Sequence, residues 1–397
     1  MLNLKKKIII LTFLIPSFFF NYFTLTIFDL DNKLSTFSAI IIFSFNALNL
    51  LFVYIYYKFD FKTLSYFVSY CILIFIIFDF SLEKILNNNS IIKDDNELGW
   101  ILKKDKSVKF NQQTSHGKKY VVNFKSSSVD GFRVYGDIKK KNKILVIGDS
   151  YTAGPYSSND FMYYDYIKNY LNEKKMDYEL FVMGAAGYGN VQQLILLRKN
   201  FEIIKPNIIL HQFCVNDFFD NNKDIKKNST TQNQYFRSPY YNYINGEIHQ
   251  IKGIVPTIYR FLFKYSFTFK KLDQIYTYRS FIKNGSFKSE ISENMIKSSV
   301  DITKQIFKQF RKVISKDTIF FSVNCASTKN NHLSKYWKKI VNEINGIVIE
   351  TPSNKILELN SKDIDVFHED GGHLNNYGNK IYGQLISEEI MIRLSDL

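Results

Sequence analysis

Three long stretches near the start of the chain are almost free of charge. Residues 8–28 read IIILTFLIPSFFFNYFTLTIF and residues 34–57 read LSTFSAIIIFSFNALNLLFVYIYY, with no Lys, Arg, Asp or Glu in either. The third stretch, residues 64–82, begins LSYFVSYCILIFIIF. About 20 apolar residues in a helix are enough to cross the hydrocarbon core of a bilayer. The pattern therefore predicts a membrane anchor over residues 1–83 with three transmembrane helices.

The lysines that border these stretches predict their orientation. Lys5, Lys6 and Lys7 precede the first span, the loop 29–33 has one lysine and two aspartates, and the loop 58–62 has two lysines. Because Lys and Arg in short loops stay on the cytoplasmic side, the N-terminus is predicted to be cytoplasmic. The rest of the chain then lies outside the cytoplasm, in the periplasm next to a bacterial inner membrane. A cleaved signal peptide is the alternative for the first stretch, although no A-x-A-like site follows it.

The periodicity changes after the predicted anchor. Residues 84–140 are polar with short alternating stretches and are predicted to form a connector with short strands. From residue 141 onward, short apolar runs alternate with helical spacing of apolar residues. The predicted strands and helices of this domain, 141–397, are strands 143–147, 179–183, 207–213, 318–323 and 355–359, and helices 161–174, 191–204, 290–314 and 376–393. Such alternation predicts an α/β fold with a parallel sheet covered by helices on both faces.

A long insertion interrupts this alternation at about residues 218–290. It contains many Tyr and Phe residues and is too long for an idle loop. Residues 258–271, IYRFLFKYSFTFKK, are read either as a packed lid helix or as an interfacial helix at a membrane.

Composition and charge narrow the choice of partner. With 46% hydrophobic and 17% aromatic residues, the chain is not largely disordered. A net charge of +15 indicates nucleic acid or an anionic surface as a partner. The predicted location outside the cytoplasm argues against nucleic acid and leaves membrane lipid, an anionic polysaccharide or a basic surface that is simply solvated. Cys71, Cys214 and Cys325 are far apart and form no CxxC spacing, so neither a disulfide scaffold nor a structural zinc site is predicted.

The candidate chemistry follows three of the predicted strands, where parallel α/β sheets bind their ligands. Ser150 in Gly-Asp-Ser follows the first strand and is a candidate nucleophile, or an ordinary turn and cap residue. The small residues 184–190 follow the second strand and let backbone N–H groups approach a ligand, without matching a nucleotide-binding fingerprint. Asn216 follows the third strand and either donates an amide hydrogen bond into the same crevice or caps a helix.

The last candidate pair lies near the C-terminus. Asp370 precedes His373 by three residues, a spacing that lets a carboxylate hold one imidazole nitrogen while the other faces a nucleophile. The alternative is a metal site formed by Asp365, His368, Asp370 and His373, which leaves the Gly-Asp-Ser and Asn-Asp loops unexplained.

Taken in this order, the four blocks resemble the SGNH hydrolases, also called the GDSL family. The resemblance covers roughly residues 123–393, including Asp-Gly-Phe-Arg at 130–133. It implies an SGNH-type three-layer α/β/α sandwich, flavodoxin-like in architecture, that needs neither a cofactor nor a metal. The chain departs from the family pattern at Cys214, where many members have glycine, and at Met183, where Asn is common.

The resemblance also implies a role for each candidate residue. Ser150 would be the nucleophile, His373 the general base and Asp370 the acid that orients it. The oxyanion hole would consist of Ser150, Gly187 and Asn216, with Gly184 or Gly189 as alternatives to Gly187.

The implied function is a membrane-anchored serine esterase. Its substrate would be an acylated carbohydrate or a small ester, and the expected reaction removes acetyl or another short acyl group from a carbohydrate-containing envelope polymer. One alternative is an extracytoplasmic O-acyltransferase that modifies a polysaccharide together with a membrane acyltransferase partner. The other is a catalytically silent glycan-binding module.

Overall fold

The structure, a computed structural model, describes residues 90–230, 232–244, 247–251, 261–263, 266–284, 289–326 and 333–395, together with residue 287 and scattered positions between 46 and 79. Two compact units emerge, residues 1–88 with 258–276, and residues 89–257 with 277–397. Within the first unit, the buried carboxylate of Asp79 accepts hydrogen bonds from the backbone N–H and the hydroxyl of Thr268, at 2.9 and 2.7 Å.

The first predicted membrane span lies wholly outside the described residues, and the second and third lie partly outside them. Among the residues that are described, no helix is both long enough and apolar enough to cross a bilayer.

The second unit is built on a six-stranded sheet in the order β12-β11-β8-β6-β7-β5. The strands of the described chain are β1 Ile92–Asp95, β2 Gly99–Leu102, β3 Ser107–Gln113, β4 Lys119–Lys125, β5 Phe132–Tyr135, β6 Asn142–Gly148, β7 Tyr178–Gly184, β8 Ile208–Phe213, β9 Tyr240–Ile244, β10 Glu247–Ile251, β11 Ile319–Asn324 and β12 Ile347–Ile349. The remaining strands form three two-stranded hairpins, β1–β2, β3–β4 and β9–β10. The central sheet is mostly parallel and belongs to an α/β fold, as predicted.

Helices cover both faces of this sheet. The helices that the structure describes are α1 Ser150–Ala153, α2 Tyr163–Glu173, α3 Asn190–Ile204, α4 Asn216–Asn221, α5 Lys223–Asn228, α6 Gln232–Arg237, α7 Phe267–Asn284, α8 Glu293–Val313, α9 Ser334–Glu343, α10 Thr351–Ser361 and α11 Asn376–Ser395. Along β6, Ile144 and Val146 join one apolar cluster with α2 and α11, whereas Leu145 and Ile147 join another with α3 and α8. Both faces of the strand are buried, which explains its uninterrupted apolar sequence.

Two predictions about the sheet are wrong. Residues 355–359 belong to helix α10, which begins with Pro352 in its first turn, a position that proline favours, and the strand before it is β12. The sheet is not entirely parallel either, because β5 from the predicted connector pairs antiparallel with β7. A short apolar run does not distinguish a strand from a helix, and only tertiary pairing shows which strand forms an edge.

The structure also joins two of the three cysteines. Cys214 follows β8, Cys325 follows β11, and they form a disulfide with their Cα atoms 5.1 Å apart. The parallel pairing of β8 with β11 brings the two strand ends together across 111 residues of sequence. No local spacing in the sequence indicates this bond.

Candidate active site

The predicted nucleophile lies at the carboxyl edge of the sheet. Ser150 is the first residue of α1, two residues beyond the end of β6, and Asp149 caps this helix by accepting from the Tyr151 N–H at 2.9 Å. At the same edge, Gly148 of β6 is paired with Gly184 of β7. The turn after β6 therefore presents the Ser150 hydroxyl beside the loops that follow the neighbouring strands.

Ser150, His373 and Asp370 form one hydrogen-bonded chain. His373 Nε2 lies 2.8 Å from Ser150 Oγ, and His373 Nδ1 lies 2.6 Å from Asp370 Oδ2. An ionised carboxylate only accepts hydrogen bonds, so Nδ1 carries the proton and Nε2 accepts from the serine hydroxyl. The structure thus brings together the three residues predicted from the sequence to form a triad.

The loop that carries Asp370 and His373 is closed on itself. The His368 N–H donates to the His373 carbonyl at 2.7 Å, and Gly371 turns the chain with a φ of +65°. Asp370 Oδ1 accepts from the N–H groups of Gly372 and His373, at 2.9 Å each. These bonds fix the carboxylate relative to the imidazole before any substrate binds.

The electrostatics of Asp370 favour its ionised form. Burial acts to raise the pKa of this carboxyl group, but the hydrogen bonds from the His373 imidazole and from two backbone N–H groups lower the pKa well below its usual value overall. Asp370 therefore remains an acceptor for the imidazole across the neutral range.

Two of the predicted oxyanion donors have free backbone N–H groups. Gly187 lies three residues past β7 with a φ of +77°, in the left-handed region that favours glycine. Within the described part of the chain, neither the Ser150 N–H nor the Gly187 N–H has a hydrogen-bond partner. The alternative donors differ, since the Gly189 N–H donates to Gln192 Oε1 at 3.0 Å and Gly184 lies within β7.

The third predicted donor, Asn216, is exposed at the start of α4. Its amide nitrogen donates to Asp220 Oδ2 at 3.0 Å and lies 3.5 Å from Asp149 Oδ2. One amide hydrogen is therefore held by Asp220, and the other points toward the loop that carries Ser150.

Asp149 is a buried carboxyl group with a perturbed pKa. Burial raises the pKa of Asp149 to about 6, although the hydrogen bond from the Tyr151 N–H and the neighbouring His373 act in the opposite direction. A carboxyl group whose pKa is higher in the folded than in the unfolded state stabilises the fold fully below about pH 4, its unfolded pKa. That contribution is lost as the pH rises from about 4 to about 6.

We therefore expect Asp149→Asn to be more stable than the wild type at pH 7 to 8, by about 1–3 kcal/mol. Asn keeps an acceptor for the Tyr151 N–H but carries no charge into the buried site. Urea unfolding of both proteins at intervals between pH 4.5 and 8 measures the difference, which should shrink toward the acid end. A difference that does not change with pH would contradict this assignment.

Several residues at the site were not predicted from the sequence. The Tyr156 ring lies between His373 and His368, with its centroid 4.4 Å from each imidazole. The buried Arg133 guanidinium donates to the carbonyls of Ala153, Gly154 and Ser157, just after α1. Arg133 was noted only as part of the resemblance, and no local spacing singles out Tyr156. Both residues hold the segment that follows the predicted nucleophile.

Two of the four residues of the alternative metal site have partners outside this group. Asp365 accepts from the Ser115 hydroxyl at 3.0 Å, and His368 Nε2 lies 2.8 Å from Gln112 Oε1. Across the described residues, no group of three or more His, Cys, Asp or Glu side chains is arranged to hold a metal ion. The contact with Gln112 belongs to a wider docking of the β3–β4 hairpin on this loop, where the Glu369 N–H donates to the Gln113 carbonyl at 2.9 Å.

A small open cleft lies beside Ser150. Its volume is about 210 Å³, including the part that opens to solvent. Its walls include Ser150, Tyr156, Met162, His373 and Leu374. Pockets for drug-sized ligands are larger, about 300–1,000 Å³.

Comparison with solved structures gives remote similarities. The acetyl xylan esterase AlAXEase is 14% identical and covers 62% of this chain and 99% of its own, with a TM-score of 0.38. A family 3 carbohydrate esterase from Clostridium thermocellum is 11% identical over 64% of this chain and 99% of its own, with a TM-score of 0.35. A catalytic mutant of an acetylxylan esterase from Geobacillus stearothermophilus is 11% identical over 63% and 94%, with a TM-score of 0.37. No curated protein matches significantly.

The comparison with protein families gives a direct match. Residues 144–386, well over half of the chain, match the GDSL-like Lipase/Acylhydrolase family. The matched range includes most of β6, all three strand-end loops and the loop that carries Asp370 and His373. The chain therefore belongs to the GDSL-like lipase/acylhydrolase family and is an ester-hydrolysing enzyme.

Proposed function

We propose that this enzyme is a serine esterase in which Ser150 is the nucleophile, His373 the general base and Asp370 the residue that orients His373. The observation that supports this most directly is the chain of hydrogen bonds from Asp370 through His373 to Ser150 Oγ, at 2.6 and 2.8 Å. Nucleophile and base within hydrogen-bond reach, with the base held by a third group, is the geometry that activates a serine hydroxyl.

The proposed reaction has two steps. Ser150 Oγ attacks the ester carbonyl while His373 Nε2 takes the hydroxyl proton, and the alcohol leaves with that proton. Water then attacks the acyl-serine and gives a proton to His373, which passes it to Ser150 Oγ as the carboxylic acid is released. During both steps the carbonyl oxygen becomes negative, and the N–H groups of Ser150 and Gly187 with the Asn216 amide are the proposed donors to it.

We propose a short acyl group, such as acetyl, as the part of the substrate that is transferred. The volume of the cleft beside Ser150 is an upper limit that includes open solvent, and it is already below the usual range for larger ligands. The side chains of His373 and Asp370 are 23% and 35% exposed, so the alcohol part of the ester has access from the surface. An acylated carbohydrate polymer is the proposed substrate because a long chain can lie across such an open site.

The experiment measures the hydrolysis of a series of p-nitrophenyl esters and then of an acetylated oligosaccharide. We expect kcat/KM to fall as the acyl chain is lengthened from acetate to hexanoate, and we expect free acetate to be released from the oligosaccharide. A preference for long chains would contradict a short acyl group. Adding an unacetylated acceptor oligosaccharide tests the alternative, since acetyl that appears on the acceptor rather than in water identifies an O-acyltransferase.

We propose that the catalytic domain lies outside the cytoplasm, anchored by the apolar stretches within residues 1–83. The disulfide between Cys214 and Cys325 supports this location because disulfides persist in oxidising compartments and are rare in the cytosol. The lysine distribution of the short loops supports the same orientation.

A topology reporter tests the location. Alkaline phosphatase fused after Leu397 is expected to be active, because it folds only outside the cytoplasm, where its own disulfides form. The same fusion to a reporter that works only in the cytoplasm is the control and should be inactive. The reverse pattern would show that one span was miscounted.

A further inference from the structure

A buried ion pair lies between the two loops that carry Gly187 and Asn216. Lys226 on α5 and Asp220 on α4 form this pair, and their side chains are only 6% and 11% exposed. Lys226 comes from the insertion at 218–290. A buried charge without a partner lowers the stability of the folded state. Lys226 and Asp220 are therefore expected to stay paired.

On one side, the pair holds Asn216. The Asp220 carboxylate uses one oxygen, Oδ1, for Lys226 Nζ and the other, Oδ2, for the Asn216 amide nitrogen at 3.0 Å. Asn216 and Asp220 are one helical turn apart on α4, so the carboxylate sets the plane of the amide. The second amide hydrogen is directed at the Ser150 loop, where Asp149 Oδ2 lies 3.5 Å from the amide nitrogen.

On the other side, the pair is connected to Gly187 through Gln234. Lys226 Nζ donates to Gln234 Oε1 on α6 at 2.9 Å. Because a lysine only donates, the oxygen of the Gln234 amide faces Lys226 and its nitrogen faces away. That nitrogen lies against Gly187, where an added Cβ would be only 2.6 Å from it.

Helix α6, which carries Gln234, has further contacts at its C-terminal end. Arg237, one turn later on α6, donates to Asp94 Oδ1 at 2.5 Å and to the Gly99 carbonyl at 3.0 Å. Helix α6 is thus fixed to the β1–β2 hairpin at one end and to Lys226 at the other. A continuous set of polar contacts runs from Asn216 through Asp220 and Lys226 to Gln234, whose amide occupies the space beside the Gly187 Cα.

We propose that Lys226 is a positioning residue that, through Asp220 and Gln234, sets the geometry of the Asn216 amide and the Gly187 N–H as oxyanion donors. The inference rests on the proposed esterase function and assigns a role to the first part of the insertion. Oxyanion donors act by being preorganised at the position where charge develops, and displacements of about 0.5 Å weaken them. Lys226 contacts neither substrate nor Ser150.

The test is a double-mutant cycle measured with p-nitrophenyl acetate. Asn216→Ala removes a donor and is expected to lower kcat by about 10²–10³. Lys226→Met keeps the length of the side chain without the charge, and we expect it to lower kcat about tenfold with KM within about twofold. In the Asn216→Ala background, Lys226→Met should have a smaller effect, because one of the two donors through which it acts is gone.

Two further variants separate positioning from stability. Lys226→Met leaves Asp220 buried without its cation and can fail to fold, so the combined Lys226→Met and Asp220→Asn variant removes both charges and should still show the lower kcat. Lys304→Met breaks the ion pair with Glu343, 2.8 Å long between α8 and α9, and is the control that should leave kcat unchanged.

The outcomes distinguish this inference from the proposed function. If wild-type protein neither hydrolyses the ester nor reacts with a fluorophosphonate, the proposed function is wrong. If the wild type is active and the combined variant is equally active, or if the effects of Lys226→Met and Asn216→Ala simply multiply, the positioning role is wrong.

Discussion

Ester hydrolysis is expected to be abolished by Ser150→Ala, with a loss in kcat of about 10⁴–10⁶. His373 would have no hydroxyl to deprotonate at 2.8 Å, and only the oxyanion donors and substrate binding would remain to accelerate the reaction. Ser150 is half-buried at a strand end and contributes little to the core, so the melting temperature should change by no more than a few degrees.

Covalent labelling provides the second measurement. A fluorophosphonate should attach to Ser150 in the wild type and should not label Ser150→Ala. Ser158→Ala is the matched control, because Ser158 is buried a few residues away and its hydroxyl only accepts from the Asn123 N–H at 2.8 Å. Labelling that persists in Ser150→Ala would exclude Ser150 as the nucleophile. A wild type that is neither labelled nor active would instead be a glycan-binding module.

Asp370→Asn should lower kcat by about 10⁴ while KM changes little. Asparagine replaces the carboxylate anion, which accepts the hydrogen bond from Nδ1, with a neutral amide. The imidazole therefore loses the group that fixes its tautomer and stabilises its positive charge. The substitution also removes a pH-dependent stabilisation. The pKa of Asp370 is lower in the folded state, so its contribution is present above about pH 4, the ordinary pKa of an aspartate, and is lost as the pH falls below it.

Steady-state kinetics of Asp370→Asn and Asp365→Asn test this role. Asp365 lies on the same loop but accepts from Ser115 and from the Asn375 amide, so its replacement should leave kcat nearly unchanged. Equal losses in the two variants, reversed by added zinc, would favour the metal site formed by Asp365, His368, Asp370 and His373. Unchanged turnover in Asp370→Asn would also exclude the proposed triad.

The strands of the central sheet could largely be predicted from the sequence because both of their faces are buried. The apolar runs at 143–147 and 179–183 correspond to β6 and β7 within one residue at each end. The same reasoning failed at 355–359, where apolar residues at helical spacing were read as a strand and the true strand, β12, has only three residues. Short apolar runs are ambiguous whenever a helix and a strand bury the same number of side chains.

Contacts between distant segments were not predictable in the same way. Tyr240 and Tyr241 lie in the aromatic-rich insertion, and both are buried. The Tyr241 hydroxyl accepts from Arg198 on α3 at 2.9 Å, a partner 43 residues away. The function of an aromatic side chain depends on what covers it, and that is decided by the packing of other elements.

By itself, the sequence determined the chemistry that each loop offers and the strand that each loop follows, because both depend on neighbouring residues. A serine after a buried strand, small residues after the next and an aspartate three residues before a histidine are all local patterns. Only the tertiary structure decided which groups meet. Ser150 and His373 are 223 residues apart, and Lys226 and Gln234 reach the oxyanion candidates from an insertion without a motif. These contacts depend on strand order and helix packing, in which each partner is selected by the whole core and not by its sequence neighbours.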